Sequence, residues 1–237
     1  DRSRRMTMIQ PTAHSRQKIA GLYLVTDRAL CGNRGLEEVV SLAVQGGAAC
    51  VQLREKDLPT RPFVEEAKRL KALLSPLRVP LIINDRLDVA LAAEADGVHI
   101  GQEDMPCDIV RRLLGPKAVI GLSVETWEDV EAAELMDVDY LGVSPVFATP
   151  TKTDTKAPWG LEGLTRIRAY SSHPLVAIGG ISRDNAADVI LAGADCAAVV
   201  SAICAVSDPR MAAADIQAEI SWALKKKQRN KQHLIHP

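Results

Sequence analysis

Beyond residue 20 the chain alternates two kinds of segment. Short apolar runs rich in Val, Ile and Leu occupy 21–26, 50–53, 81–84, 97–100, 119–123, 140–146, 175–179 and 196–201. Each has the length of a strand buried on both faces. Between them lie segments with helical spacing. Residues 36–45 place apolar side chains at 36, 39, 40, 42, 43 and 44 and stop at Gly46-Gly47. Residues 62–74 follow Thr60, a residue suited to an N-cap, and end ahead of Ser75-Pro76. Segments 87–93, 108–114, 126–136, 161–170, 184–192 and 211–227 complete the set. Thr126 with Asp129 three residues on resembles a capping box.

Eight runs alternating with helices fit a closed (β/α)8 barrel or an open doubly wound sheet. The 237 residues match the length of the barrel. No GxGxxG follows the first run, so the dinucleotide-binding sheet lacks its best marker. The predicted fold is therefore α/β, a single (β/α)8 TIM barrel over 19–227. A basic N-terminal extension (1–18) and a basic tail (228–237) flank it.

Composition narrows the function. Hydrophobic residues make up 47% and charged residues 25%, enough for a large core, while aromatics are only 3%. Stacking of single-stranded nucleic acid needs aromatic platforms. The net charge of −1 is uneven: Arg2, Arg4, Arg5, Arg16 and Lys18 lie at one end, and Lys225, Lys226, Lys227, Arg229 and Lys231 at the other. The intervening body is acidic, which argues against a nucleic-acid surface. No apolar stretch approaches the ~18–20 residues of a membrane span. Five cysteines, an odd number with no CxxC pair, support neither a disulfide framework nor structural zinc. Cys50 and Cys196 read as small core residues. The basic N-terminus lacks the apolar run of a signal peptide, so a cytoplasmic location is expected. A homo-oligomer stays open.

In such a barrel the chemistry lies at the C-terminal ends of the strands. Arg54 and Lys56 alternate at the end of the second run and share one side. With Lys152 they put three cations around one mouth, suited to phosphate oxygens. Asp85 and Asp104 follow adjacent runs. They are either caps of the next helices or ligands of Mg²⁺, which is typically held by one or two carboxylates plus substrate phosphates. Gly179-Gly180 after the seventh run and Val200-Ser201 after the eighth occupy the usual phosphate position of this fold. Two separate anion sites suggest two phosphorylated substrates or one long one.

The strings Gln52-Leu53-Arg54-Glu55-Lys56, Ile83-Asn84-Asp85-Arg86, Asp96-Gly97-Val98-His99-Ile100-Gly101-Gln102 and Thr149-Pro150-Thr151-Lys152 resemble the thiamine-phosphate synthase family. So do Ala177-Ile178-Gly179-Gly180-Ile181 and Val199-Val200-Ser201-Ala202-Ile203, and the resemblance covers about 20–220. It implies a reaction in which 4-amino-2-methyl-5-hydroxymethylpyrimidine diphosphate loses pyrophosphate through a carbocation. The nitrogen of 4-methyl-5-(2-phosphooxyethyl)thiazole, or of its carboxylated form, then takes the methylene carbon. By the same resemblance Arg54, Lys56, Asn84 and Lys152 hold the diphosphate, Gln52 lies near the pyrimidine, and Asp85 and Asp104 hold Mg²⁺. Ser123 lies by the pyrimidine or its leaving group. Thr149 and Thr151 contact the thiazole phosphate, opposite Gly180, Val200 and Ser201. Arg54, Lys56, Ser123 and Lys152 form the expected catalytic set, and the loop 148–159 is an expected lid. Related barrels often carry His two residues after the fifth-strand serine, where this chain has Glu125. A sister family of thiazole tautomerases uses such a His. His99 is expected to be structural. The alternatives to a synthase are a tautomerase-like isomerase and a non-catalytic sensor of thiamine intermediates.

Overall fold

The computed structural model describes residues 19–149 and 157–235, with side chains described as far as Asn230. Eight parallel strands close into one barrel in sequence order: β1 (Gly21–Val25), β2 (Ala48–Leu53), β3 (Leu81–Asn84), β4 (Gly97–Ile100), β5 (Val119–Val124), β6 (Tyr140–Val143), β7 (Leu175–Ile178) and β8 (Cys196–Val199). The last strand pairs with the first, Leu22 opposite Ala197. The helices are α1 (Leu36–Gln45), α2 (Thr60–Leu74), α3 (Leu87–Ala92), α4 (Cys107–Leu114), α5 (Trp127–Ala133), α6 (Gly160–Tyr170), α7 (Arg183–Leu191), α8 (Ser201–Cys204) and α9 (Pro209–Ile235).

Strand alternation separates two cores. Outward residues such as Leu22, Leu24, Val51, Leu53 and Ile83 pack under the helices. Inward residues Tyr23, Cys50, Ile82, Val119, Tyr140, Val176 and Cys196 fill the barrel. Both cysteines expected in the core are there. Burying one such Leu or Val fully contributes about 1.5–3 kcal/mol.

Several boundaries differ from the sequence-based expectation. The second helix begins at Thr60, which therefore is not its cap; the cap position is Pro59, and Thr60 Oγ1 instead accepts from Arg86 Nη2 at 2.8 Å. Strand β6 ends at Val143, although Ser144 and Val146 still donate to its neighbours β5 and β7 (Ser144 N–H to Val124 O, 3.2 Å; Val146 N–H to Ile178 O, 2.9 Å). The helix expected to end at Lys227 continues to Ile235. Thr126 does cap α5, accepting from Asp129 N–H at 3.2 Å while Asp129 Oδ2 accepts from Thr126 N–H at 2.9 Å.

The N-terminal end of the barrel is locked by a repeated device. Asp96, Asp139 and Asp195 each immediately precede an even-numbered strand. Each carboxylate accepts a backbone N–H from the preceding strand or the residue that pairs with it: Leu81 at 2.9 Å, Ile120 at 2.8 Å and Leu175 at 2.9 Å. Each also binds a cation from a covering helix, Lys71 at 2.8 Å, Arg111 at 2.8 Å and Arg168 at 3.1 Å. Beside the β1–β2 pair, where Gly47 precedes the strand, Gln217 of α9 accepts the Leu22 N–H at 2.9 Å. Charge and hydrogen bonding thus fix the base and leave the opposite rim to present other groups.

Candidate active site

The C-terminal mouth opens onto a cavity of about 800 Å³. Its wall includes Arg54, Lys56, Asn84, Asp85, Asp104 and Ser123. Gln52, Thr149, Gly180, Val200 and Ser201 also face it. Thr151 and Lys152, and most of the expected lid, lie outside the described residues.

Alternation at the end of β2 sorts the charges as expected. Arg54 and Lys56 face the cavity, and Glu55 turns away to bind Arg28, with Nε–Oε1 at 3.1 Å. Arg28 also pairs with buried Glu66 of α2. Burial raises the Glu55 carboxyl pKa, and Arg28 opposes the rise. The Arg54 backbone is pinned by its N–H to buried Thr26 Oγ1 at 3.0 Å.

Neither aspartate caps a helix. The N-cap of α3 is Arg86 and that of α4 is Pro106, and neither helix receives a side-chain cap bond. Asp85 sits at φ 61°, and Arg86 N–H bonds back to Asn84 O at 2.7 Å. This tight turn lifts the Asp85 carboxylate over the mouth, where Oδ2 meets Lys56 Nζ at 2.6 Å. Asp104 Oδ2 accepts from Gly101 N–H at 2.7 Å. Burial raises the Asp104 carboxyl pKa, the Gly101 N–H opposes the rise, and the Asp85 charge adds to it. The Asp85 charge disfavours ionisation of Asp104, and Lys56 is already drawn to Asp85, so the two carboxylates form a donor set that fits Mg²⁺. Among the described residues no group of three or more His, Cys, Asp or Glu could form a metal cage. The pair therefore suits a cation whose remaining ligands are phosphate oxygens and water.

The expected second anion position lies at a backbone turn. Gly179 and Gly180 have φ 104° and 64°, and a Cβ on Gly180 would lie 2.8 Å from Phe147 Cβ and 2.9 Å from Ala148 O. Glycine is required there by the turn itself, whether or not a phosphate binds. Asn185 Nδ2 holds the Gly180 carbonyl at 2.9 Å. Across from it Val200 precedes α8, and its carbonyl accepts from Ile203 and Cys204 N–H.

The sequence reading missed the cavity floor. Tyr23 and Tyr140 are buried inside the barrel with hydroxyls 2.9 Å apart, and His99 links Tyr140 to Ser123. The signal was available: two of the three tyrosines stand at inward positions of β1 and β6. Gln102, also unassigned, donates from Nε2 to Ser123 O at 2.6 Å. Glu125 lines the cavity beside Thr126 and Asp129.

A closed (β/α)8 barrel with cations, carboxylates and a double-glycine turn at its C-terminal mouth has the architecture of a barrel enzyme. A family profile described as thiamine monophosphate synthase matches residues 22–203. A thiamine-phosphate synthase of Albidiferax ferrireducens is 62% identical over 192 residues, covering 81% of this chain and 88% of that protein. One from Leptospira biflexa is 55% identical over 199 residues, covering 82% and 95%. The solved thiamine phosphate pyrophosphorylase of Pyrococcus furiosus superposes with a TM-score of 0.80 at 39% identity, covering 88% of this chain and 98% of that one. The chain belongs to the thiamine monophosphate synthase family, and is a transferase of thiamine biosynthesis.

Proposed function

We propose that this enzyme joins 4-amino-2-methyl-5-hydroxymethylpyrimidine diphosphate to 4-methyl-5-(2-phosphooxyethyl)thiazole, giving thiamine phosphate and pyrophosphate. The observation that carries the reading is the convergence of Arg54, Lys56, Asp85 and Asp104 on one cavity that also holds Gln52 and Ser123. Arg54 and Lys56, with Asn84 and Lys152, take the diphosphate oxygens. Gln52 and Ser123 hold the pyrimidine from the floor. Thr149 and Thr151, opposite Gly180, Val200 and Ser201, take the thiazole phosphate.

The reaction needs no enzymatic nucleophile. The C–O bond breaks with its electron pair leaving on pyrophosphate, and the thiazole nitrogen supplies the pair for the new C–N bond. This chain contributes by fixing both substrates in line and by stabilising the departing charge with aimed cations. Asp85 and Asp104 would hold Mg²⁺, which when bound supplies neutralisation of the pyrophosphate. The walls keep water from the cation. The same reading places the enzyme in the cytoplasm, acting on small molecules; among the described residues no helix is long and apolar enough to cross a membrane.

Pyrophosphate release tests this. It should appear from the pyrimidine diphosphate together with thiamine phosphate when the thiazole phosphate and Mg²⁺ are present. Conversion of a thiazole isomer without pyrophosphate would indicate a tautomerase. Binding of both ligands without turnover would indicate a sensor.

A further inference from the structure

A hydrogen-bond chain crosses the barrel beneath the cavity and joins five strands. Gln52 Nε2 donates to the Tyr23 hydroxyl at 3.0 Å. The Tyr23 and Tyr140 hydroxyls are 2.9 Å apart, Tyr140 lies 2.9 Å from His99 Nδ1, and His99 Nε2 lies 2.8 Å from Ser123 Oγ. Each hydroxyl carries one hydrogen. One arrangement uses every contact in the chain: Gln52 donates to Tyr23, the Tyr23 hydrogen goes to Tyr140 and the Tyr140 hydrogen to His99 Nδ1. His99 then carries its proton on Nε2 and donates to Ser123 Oγ, which leaves the Ser123 hydrogen directed to the cavity.

The surroundings are built for this arrangement. The His99 ring stacks on Tyr140, with centroids 5.5 Å apart and planes 24° apart. Gly121 and Gly142 clear the space: a Cβ on Gly142 would lie 2.7 Å from His99 Cε1, and one on Gly121 would overlap the Tyr140 ring. Burial raises both tyrosine pKa values far above the ordinary value, so both remain neutral hydroxyl donors.

We propose that His99 is a positioning residue that holds the Ser123 hydroxyl as a hydrogen-bond donor to the pyrimidine substrate, with Tyr140 fixing the His99 tautomer. The inference rests on the reading that Ser123 faces the pyrimidine diphosphate. It separates His99 from a merely structural core residue, because its effect must pass through Ser123.

A double-mutant cycle decides it, using steady-state formation of thiamine phosphate by the full chain. Ser123→Ala and His99→Asn should each lower kcat by about tenfold or more, the scale of losing a group that orients a reacting contact. The KM for the thiazole phosphate should stay within about twofold, since neither residue faces that ligand. The double variant should be no slower than Ser123→Ala alone. His99→Gln, whose terminal amide can donate where Nε2 did, should be faster than His99→Asn. Should His99→Asn melt below the assay temperature, Tyr140→Phe carries the same cycle, because it removes only the hydroxyl. Losses that multiply in the double variant overturn the inference and leave the site reading intact. Wild-type turnover in Ser123→Ala overturns it through the site reading itself.

Discussion

Asp85 stands in the left-handed region at φ 61°, which costs a non-glycine residue about 1–2 kcal/mol. Asn tolerates that region as well as Asp does, but carries no charge. Asp85→Asn should therefore leave thermal stability within about 0.5 kcal/mol of wild type, because its ion pair with Lys56 is half-exposed. Turnover should fall by about 10²-fold or more if the carboxylate serves the diphosphate and its metal. Melting and kinetics on the same preparation check both halves. A variant that loses stability and keeps activity would make Asp85 a structural turn residue. Asp85 and Asp104 were legible as candidates because two acidic residues follow adjacent apolar runs. The Tyr23–Tyr140–His99 chain was not, because its members lie more than 40 residues apart in places and meet only when the barrel closes. Glu125 was left without a role by its sequence; in the structure it lines the cavity and its backbone N–H donates to Asp129 Oδ2 at 2.9 Å.

Elements were read through their periods, and the barrel follows from eight buried runs separated by amphipathic helices. Their ends were harder: β6 ends at Val143 although Ser144 and Val146 still bond to the same neighbours, β5 and β7. The aspartates before the even strands were also invisible as a set, since each completes its bonds only through a neighbouring strand and helix. They carry a prediction at this scale. Arg111 is mostly buried and sits between Asp137 and Asp139, with Asp139 itself buried. Asp139→Ala removes one partner of a buried pair and the acceptor of the Ile120 N–H. The expected cost is about 3–5 kcal/mol in denaturant unfolding. At temperatures where the variant is folded, kcat should be unchanged, because the base of the barrel is remote from the mouth. A matching loss of kcat in folded protein would refute that separation. The cap of α5 provides a smaller check: Thr126→Ala should lower stability by about 1 kcal/mol in the same measurement.

At the scale of the whole molecule, the open cavity lies at the C-terminal mouth of the barrel, while ion pairs tie its base. All five cysteines are free and buried. Burial raises the thiol pKa of Cys107 to about 11 and that of Cys204 to about 12, so little thiolate exists near neutral pH. A thiol reagent at pH 7 should find no fast-reacting cysteine in the folded enzyme and five after unfolding. A fast native thiol would mean that the barrel opens locally. The central claim is that the mouth binds a diphosphate through Arg54, Lys56 and Lys152 and a cation shared with Asp85 and Asp104. Calorimetric titration of the pyrimidine diphosphate, with Mg²⁺ and then with a chelator, tests it most directly. Mg²⁺ should tighten binding in wild type, Asp85→Asn and Asp104→Asn should each abolish that enhancement, and Mg²⁺ alone should bind weakly, as linkage requires. Equal affinity with Mg²⁺ and with chelator in the wild type would contradict the account.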